Sequence, residues 1–265
     1  MLFRREIGWL VAQANVVSGR RASICRRCRR ERLVVPVLFH GPKPSVLDAI
    51  LGELDRLVGV DSVEISFDDG RREVKECLPV LEKYNSPAVL FISPGEILKG
   101  CNWAESHAAR RCGVSSLCRL SAGEREEKLA AAGIAESTSD LLSAEDIREL
   151  ARHPLVEFGN HTWSHMSCSC RPMEEALDEV ERAQVQLEEW TGRRPSKFSY
   201  PFGHYTDELD AAIRARGLVP YRLAPGLAPR RADGRFRNMA YRDVTLAENV
   251  GRLLTAWPRV RRMPT

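Results

Sequence analysis

The sequence predicts an α/β fold in which mostly parallel strands alternate with helices and carry polar groups to one rim. Three runs predict it. Val63-Glu64-Ile65-Ser66-Phe67 reads as a strand and stops at Asp68-Asp69-Gly70; Leu155-Val156-Glu157-Phe158-Gly159-Asn160 leads into His161-Thr162-Trp163-Ser164-His165; and Lys197-Phe198-Ser199 stops in Tyr200-Pro201-Phe202-Gly203. Buried strands that end in turns are how a sheet presents titratable groups at its edge. Helical periodicity between the runs calls for crossover helices, and hence for parallel pairing with right-handed connections.

The elements follow in order. Leu33 to His40 reads as the first core strand, with His40 emerging on the same rim as the acids. Ser45 opens a helix, with Asp48 placed for a capping box and Val46, Leu47, Ile50, Leu51, Leu54 and Leu57 forming its apolar stripe. After the strand carrying Asp68 and Asp69, Glu73 to Tyr84 reads as one helix with Val74, Cys77, Leu78 and Leu81 on a face, followed by the strand Ala88 to Ser93. Between residues 100 and 142 the pattern breaks. Cys101, Trp103, His107, Cys112 and Cys118 are spaced through it with a charged helical piece around Glu124 to Ala132, an insertion that either shapes substrate access or is a bland excursion.

Ser143 and Asp146 form a second capping-box signature, opening a helix to about His153. Met173 to Trp190 is a long amphipathic helix with Leu177, Val180, Leu187 and Trp190 inward and Gly192 just past its end. Thr206 to Gly217 reads as a further helix and Leu218 to Leu223 as a further strand; from Ala224 the chain is Arg-rich and irregular, with a late helix near Leu246 to Leu254. The expected layout is a basic leader over 1–32, one α/β domain over 33–230 with the insertion 100–142, and an Arg-rich segment over 231–265. A chain of 265 residues is long enough to bury one large core of this kind.

Two imidazoles four residues apart converge if their segment is helical or tightly turned, and a carboxylate from another strand end completes a three-ligand site with positions left for water. Taken singly, each His reads as a packing residue and the acids as a solvated turn. Thr162 stands where an H-E-x-x-H helix would carry its Glu, which excludes that class of zinc protease.

In order and spacing, Ser66-Phe67-Asp68-Asp69-Gly70, His161-Thr162-Trp163-Ser164-His165 and Tyr200-Pro201-Phe202-Gly203 resemble the first three motifs of the polysaccharide deacetylase family, carbohydrate esterase family 4 or NodB homology domain. The likeness runs from about Val34 to Leu223. It implies a distorted (β/α) barrel with Asp69, His161 and His165 holding one divalent metal ion, most often Zn2+, with Co2+, Ni2+ or Mn2+ as other occupants. It implies Asp68 as general base, the backbone N–H of Phe202 facing the oxyanion, and Tyr200 and Pro201 shaping the acyl pocket. The implied activity is metal-dependent hydrolysis of N-acetyl groups on an N-acetylhexosamine-containing saccharide, whether polysaccharide, glycolipid or sugar conjugate.

The pattern departs from the family in two places. Ser199 stands where many members carry an Arg that orients the base, and no His follows His204, so the late Leu-x-His motif that supplies a general acid is missing. Of the proton donors that remain, His40 comes first because it ends a core strand on the same rim as Asp69, then His204 just beyond the Pro-Phe-Gly turn, with a water or a reprotonated Asp68 as the alternative. The alternative to an enzyme is a carbohydrate-binding or regulatory pseudoenzyme of the same fold. Retention of Asp68 together with all three ligands favours the enzyme.

The formal net charge of +4 conceals an asymmetry: residues 1–32 hold nine Arg against two acids and 214–265 hold twelve Arg against three, so the centre is acidic. The basic ends suit an anionic surface or acidic glycan, or are solvated tails; no specific nucleic acid is expected. No stretch has the apolar length of a membrane span, and Gln13 and Asn15 interrupt Ile7 to Val17, leaving a poor signal-peptide core or an amphipathic surface helix. The expected location is cytoplasmic, or peripheral at the inner face of the membrane. Of eight Cys, Cys25 and Cys28 form a lone C-x-x-C that Cys168 and Cys170 could complete in space, against free thiols in a reducing compartment.

Overall fold

The computed structural model describes residues 30–31, 33–132, 140–223, 228–229 and 235–239. Most of the leader, the Cys25/Cys28 pair, the basic tails expected to meet an anionic surface and the expected helix at Leu246 to Leu254 lie outside the described residues. The described chain divides into two compact units, one holding residues to Ser66, Glu73–Ala88 and those from Arg222, the other Phe67–Arg72 and Val89–Tyr221.

In the first unit, strand β1 (Leu33–Phe39) is buried at every position, as its unbroken apolar run requires of a strand covered on both faces. Helix α1 (Pro44–Val58) buries Leu47, Ile50, Leu51, Leu54, Leu57 and Val58, each contributing about 1.5–3 kcal/mol if fully removed from water. Its expected capping box at Ser45 is not formed. Pro44 takes the first turn, where its fixed φ suits a helix start, and Lys43 is the cap without a side-chain bond. Asp48 instead accepts from Lys83 Nζ at 2.6 Å. Strand β2 (Val63–Phe67) pairs with β1.

The helix expected over Glu73 to Tyr84 is two pieces, α2 (Glu73–Glu76) and α3 (Leu78–Tyr84). The break falls at Cys77, two residues before Pro79, because Pro cannot continue the hydrogen-bond ladder and is accommodated in a new first turn.

The Arg-rich end is not irregular throughout. Ala228–Pro229 pairs antiparallel with β1 (Leu33↔Pro229), and Arg235–Met239 runs parallel to it (Val37↔Asn238, Leu38↔Met239). Charge hid this strand. Arg237 is buried and donates to Ser66 Oγ at 3.0 Å, while Ser66 Oγ donates to Val37 O.

The second unit carries β3 (Ala88–Ile92, from Val89 on), β4 (Val156–Asn160), β5 (Lys197–Ser199) and β6 (Val219–Leu223, up to Tyr221) in that lateral order. β4 and β5 are parallel (Asn160↔Phe198), as are β5 and β6 (Phe198↔Pro220). α4 (Pro94–Lys99) follows β3, and the insertion forms α5 (His107–Cys112), α6 (Val114–Leu117) and α7 (Ala122–Ala131). These share a small core of Trp103, Ala109, Leu117, Cys118 and Leu129. The capping box at Ser143 and Asp146 is formed and opens α8 (Ala144–Leu150).

α9 (Met173–Thr191) packs Ala176 and Val180 with Phe198, Tyr200, Leu209 and Ile213, and ends at Gly192 in the left-handed conformation that a helix C-terminus favours. α10 (Asp207–Ala215) is capped by Thr206 Oγ1. No described helix is long and apolar enough to cross a membrane, and Cys77, Cys101, Cys112, Cys118, Cys168 and Cys170 are free thiols.

Candidate active site

Successive side chains on a strand point to opposite faces, so Asp68 and Asp69 would diverge if β2 simply continued. It does not: Asp69 (φ 71°) and Gly70 (φ 67°) turn through left-handed backbone, and both carboxylates are buried. The turn is pinned by Leu142 N–H donating to Gly70 O and Arg72 N–H donating to Asp140 O, both at 2.8 Å.

The histidine segment is a tight loop and not a helix. Asn160 anchors it. Its Nδ2 donates to Val180 O on α9 at 2.8 Å, and its Oδ1 accepts from Thr162 N–H at 2.9 Å. Thr162 (φ 62°) and His165 (φ 52°) bend the backbone so that both rings return to one point. Positive φ is costly for any side chain and most of all for a β-branched one. Of the five such non-Gly residues described, Asp69, Thr162, His165 and Phe202 all belong to these loops, so the strain is concentrated where the polar groups converge.

His165 Nε2 lies 3.1 Å and His161 Nε2 3.5 Å from Asp69 Oδ1, with Asp68 Oδ2 3.9 Å from His161 Nε2. One ligand atom each from Asp69, His161 and His165 falls within 4.8 Å of the others, a group that could hold a metal ion. His161 Nδ1 is 2.8 Å from Ser199 O; that carbonyl can only accept, so Nδ1 carries a proton and Nε2 is the atom that faces the acids. Ser199 Oγ donates to Asp68 Oδ2 at 3.2 Å, so a hydroxyl engages the acid from the position where many family members carry Arg. Two adjacent buried carboxylates facing two imidazoles are a donor set that suits a divalent cation, whose charge offsets the cost of burying the acids.

The surroundings of this group were not legible in the motifs. Trp103 Nε1 donates to Ser164 O (3.1 Å) and His165 O (3.3 Å). Arg125, 1% exposed, donates through Nη2 to Ser164 O (3.0 Å) and Oγ (3.2 Å) and lies 4.4 Å over the Trp103 ring. Glu179 on α9 accepts from Ser164 N–H (2.7 Å) and Oγ (3.0 Å). The insertion therefore braces the loop that ends in His165. Its one sequence signal is that Arg125 shares a helix face with Leu129, four residues on, which places a cation on an apolar face.

Glu96 on α4 is 3% exposed and accepts from Trp103 N–H at 2.8 Å; burial pushes its carboxyl above the usual range, against the pull of that bond and of the nearby Lys99, His165 and Arg125 charges. At its other face α4 presses on the loop so closely that a Cβ on Gly95 would lie 2.6 Å from Trp163 Nε1.

In the third motif, the Tyr200 ring packs in the core and its hydroxyl donates to Asp210 Oδ1 at 3.0 Å. Pro201–Gly203 is a 3-10 turn with Phe202 at φ 60°, and the Phe202 ring lies 4.8 Å from that of His165 and 5.8 Å from that of Trp103. His204 is exposed, with Nδ1 2.8 Å from Ser167 Oγ. His40 is half-buried just past β1, in the first unit.

Comparisons with known proteins agree with this arrangement. A family profile described as polysaccharide deacetylase matches residues 57–221. Among solved structures, the chain is similar to IcaB from Ammonifex degensii (19% identity, 84% of this chain and 97% of that one, TM-score 0.58). It is also similar to a polysaccharide deacetylase from Bacillus cereus (14%, 83% and 69%, TM-score 0.58) and to the Streptococcus pyogenes deacetylase PplD in complex with acetate (14%, 82% and 96%, TM-score 0.57). No curated protein sequence matches. The structural likenesses establish the fold, a NodB-type (β/α) barrel of parallel strands with helices, and with the sequence match over residues 57–221 they show that the chain belongs to the polysaccharide deacetylase family, hydrolases that remove N-acetyl groups.

Proposed function

We propose that the protein is a metal-dependent N-deacetylase of an N-acetylhexosamine-containing saccharide, with residues 33–230 as its catalytic domain. The observation that carries this reading is the convergence of Asp69, His161 and His165 within 4.8 Å, with Asp68 beside them. Asp69, His161 and His165 would hold the ion, which when bound polarises the amide carbonyl and acidifies a water.

The chain's own residues supply the rest. Asp68 takes the proton of the attacking water, held in orientation by Ser199 Oγ. The backbone N–H of Phe202 faces the developing oxyanion from a turn whose positive φ is set by the Pro201–Gly203 geometry. Tyr200 and Pro201 shape the acyl pocket through their backbone, since the Tyr200 hydroxyl is committed to Asp210. The leaving nitrogen receives the proton that Asp68 took. Asp68 is favoured over His204 because it lies 3.9 Å from His161 Nε2, whereas His204 is exposed and engaged with Ser167.

Acetate release from a panel of N-acetylated oligosaccharides and glycolipids, with and without chelator, tests the function. Chelator-sensitive release from at least one substrate is expected; release that survives full metal removal refutes metal dependence. His165→Ala should abolish bound metal, and wild-type metal content in that variant refutes the ligand set.

A further inference from the structure

His161 and His165 are fixed differently. The outer nitrogen of His161 has its acceptor, the Ser199 carbonyl at 2.8 Å. The outer nitrogen of His165, Nδ1, is buried with no hydrogen-bond partner. Imidazoles that serve as ligands almost always donate their second N–H to a carbonyl, a carboxylate or a water, and that bond selects the tautomer. Oε1 of Glu96 is also buried with no hydrogen-bond partner. Trp103 links the two residues, since its backbone N–H donates to Glu96 Oε2 at 2.8 Å, its indole N–H donates to His165 O at 3.3 Å, and its ring lies 6.4 Å from that of His165. Glu96 also borders a cavity of about 260 Å³, large enough for ordered water, whose otherwise largely apolar lining carries the charged groups of Lys99, Arg125 and Glu126 beside Trp103.

We propose that Glu96 is the positioning residue of His165, its Oε1 accepting the His165 Nδ1 proton through one buried water and so directing the Nε2 lone pair toward Asp69. The inference rests on the metal-site reading above. It gives a role to an acid that α4 keeps buried within the fields of Arg125 and Lys99, which offset part of the rise that burial imposes on its carboxyl. It also gives the insertion a purpose, since Arg125 and Trp103 hold the backbone of the loop while Glu96 holds the ring. Ser199 and Glu96 then act as a matched pair of acceptors, one for each histidine.

The test uses the full-length protein and Zn2+ itself. Glu96→Gln keeps shape and can still accept from Trp103 N–H, but turns an amide N–H toward the bridging water, which then has no carboxylate to receive its proton. Its Zn2+ affinity, measured by competition with a chromophoric chelator, should fall about 10–100-fold, with melting temperature of the metal-free protein little changed. In metal-free wild type at alkaline pH, long-range 15N–1H spectra should show His165 as the Nδ1–H tautomer, and Glu96→Gln should lose that signature. Unchanged Zn2+ affinity in the variant, or a wild-type His165 protonated on Nε2, overturns the proposal. If Glu96→Gln does not fold, the wild-type tautomer decides alone. If wild type binds no Zn2+ at all, the functional reading fails, while the tautomer still decides the role of Glu96.

Discussion

Replacing Ser199 by Ala removes one oxygen from the site and leaves the backbone carbonyl that receives His161 Nδ1 in place. What is lost is the hydroxyl bond to Asp68 Oδ2. Both residues are buried, with Ser199 fully inaccessible and Asp68 3% exposed, so bulk water does not replace the donor. Hydrogen bonds to charged groups contribute about 1.5–3 kcal/mol, and an O–H···O distance of 3.2 Å is long against the usual range of about 2.5–3.0 Å, which places this bond at the weak end. About 1.5 kcal/mol of lost orientation corresponds to about tenfold in rate. Ser199→Ala should therefore lower kcat about tenfold with metal content and KM near wild type, read by continuous acetate release at saturating Zn2+. A variant as fast as wild type would show that Ser199 does not orient the base. A loss of metal would show that its effect runs through His161.

Asp68→Asn preserves shape but cannot take a proton, so activity should fall about a hundredfold or more while metal is retained; equal turnover would remove Asp68 from the mechanism. Gly159→Ala would set a Cβ 2.4 Å from the Phe91 ring, which is itself fully buried, so overpacking should cost about 1–3 kcal/mol and lower the melting temperature by several degrees; an unchanged melting curve would contradict that packing. Burial, with Glu76 and Glu73 adding to it, pushes the Cys77 thiol up to about 12, and burial likewise pushes Cys168 up, so both stay protonated at pH 8. Native alkylation followed by peptide mass spectrometry should label the half-buried Cys112 and Cys170 well before Cys77 and Cys168, and equal labelling would refute the burial argument.

The polar termini of β2, β4 and β5 were legible in the sequence because a strand that stops in Asp-Asp-Gly, His-x-x-x-His or Tyr-Pro-Phe-Gly declares both its direction and its cargo. Local physics also announced α8 and α9, through a capping box at Ser143 and a glycine at 192. Where two local signals competed, the sequence misled: Ser45 and Asp48 spelled a cap, but Pro44 already held the helix start, and Pro79 divided a helix whose apolar stripe looked continuous. The strand Arg235–Met239 was hidden because its guanidinium looked like solvent-seeking charge until Ser66, 171 residues away, supplied a buried acceptor.

The site shows the same division. Sequence alone picked out the groups that converge in the structure, since residue type and spacing fix what can donate, accept or ligate. Only the tertiary structure decided how they are held. The left-handed turns at Asp69, Thr162 and His165, the bond from Ser199 to Asp68, and the Trp103, Arg125 and Glu179 contacts to Ser164 join segments from 15 to 131 residues apart, and their geometry exists only once those segments pack.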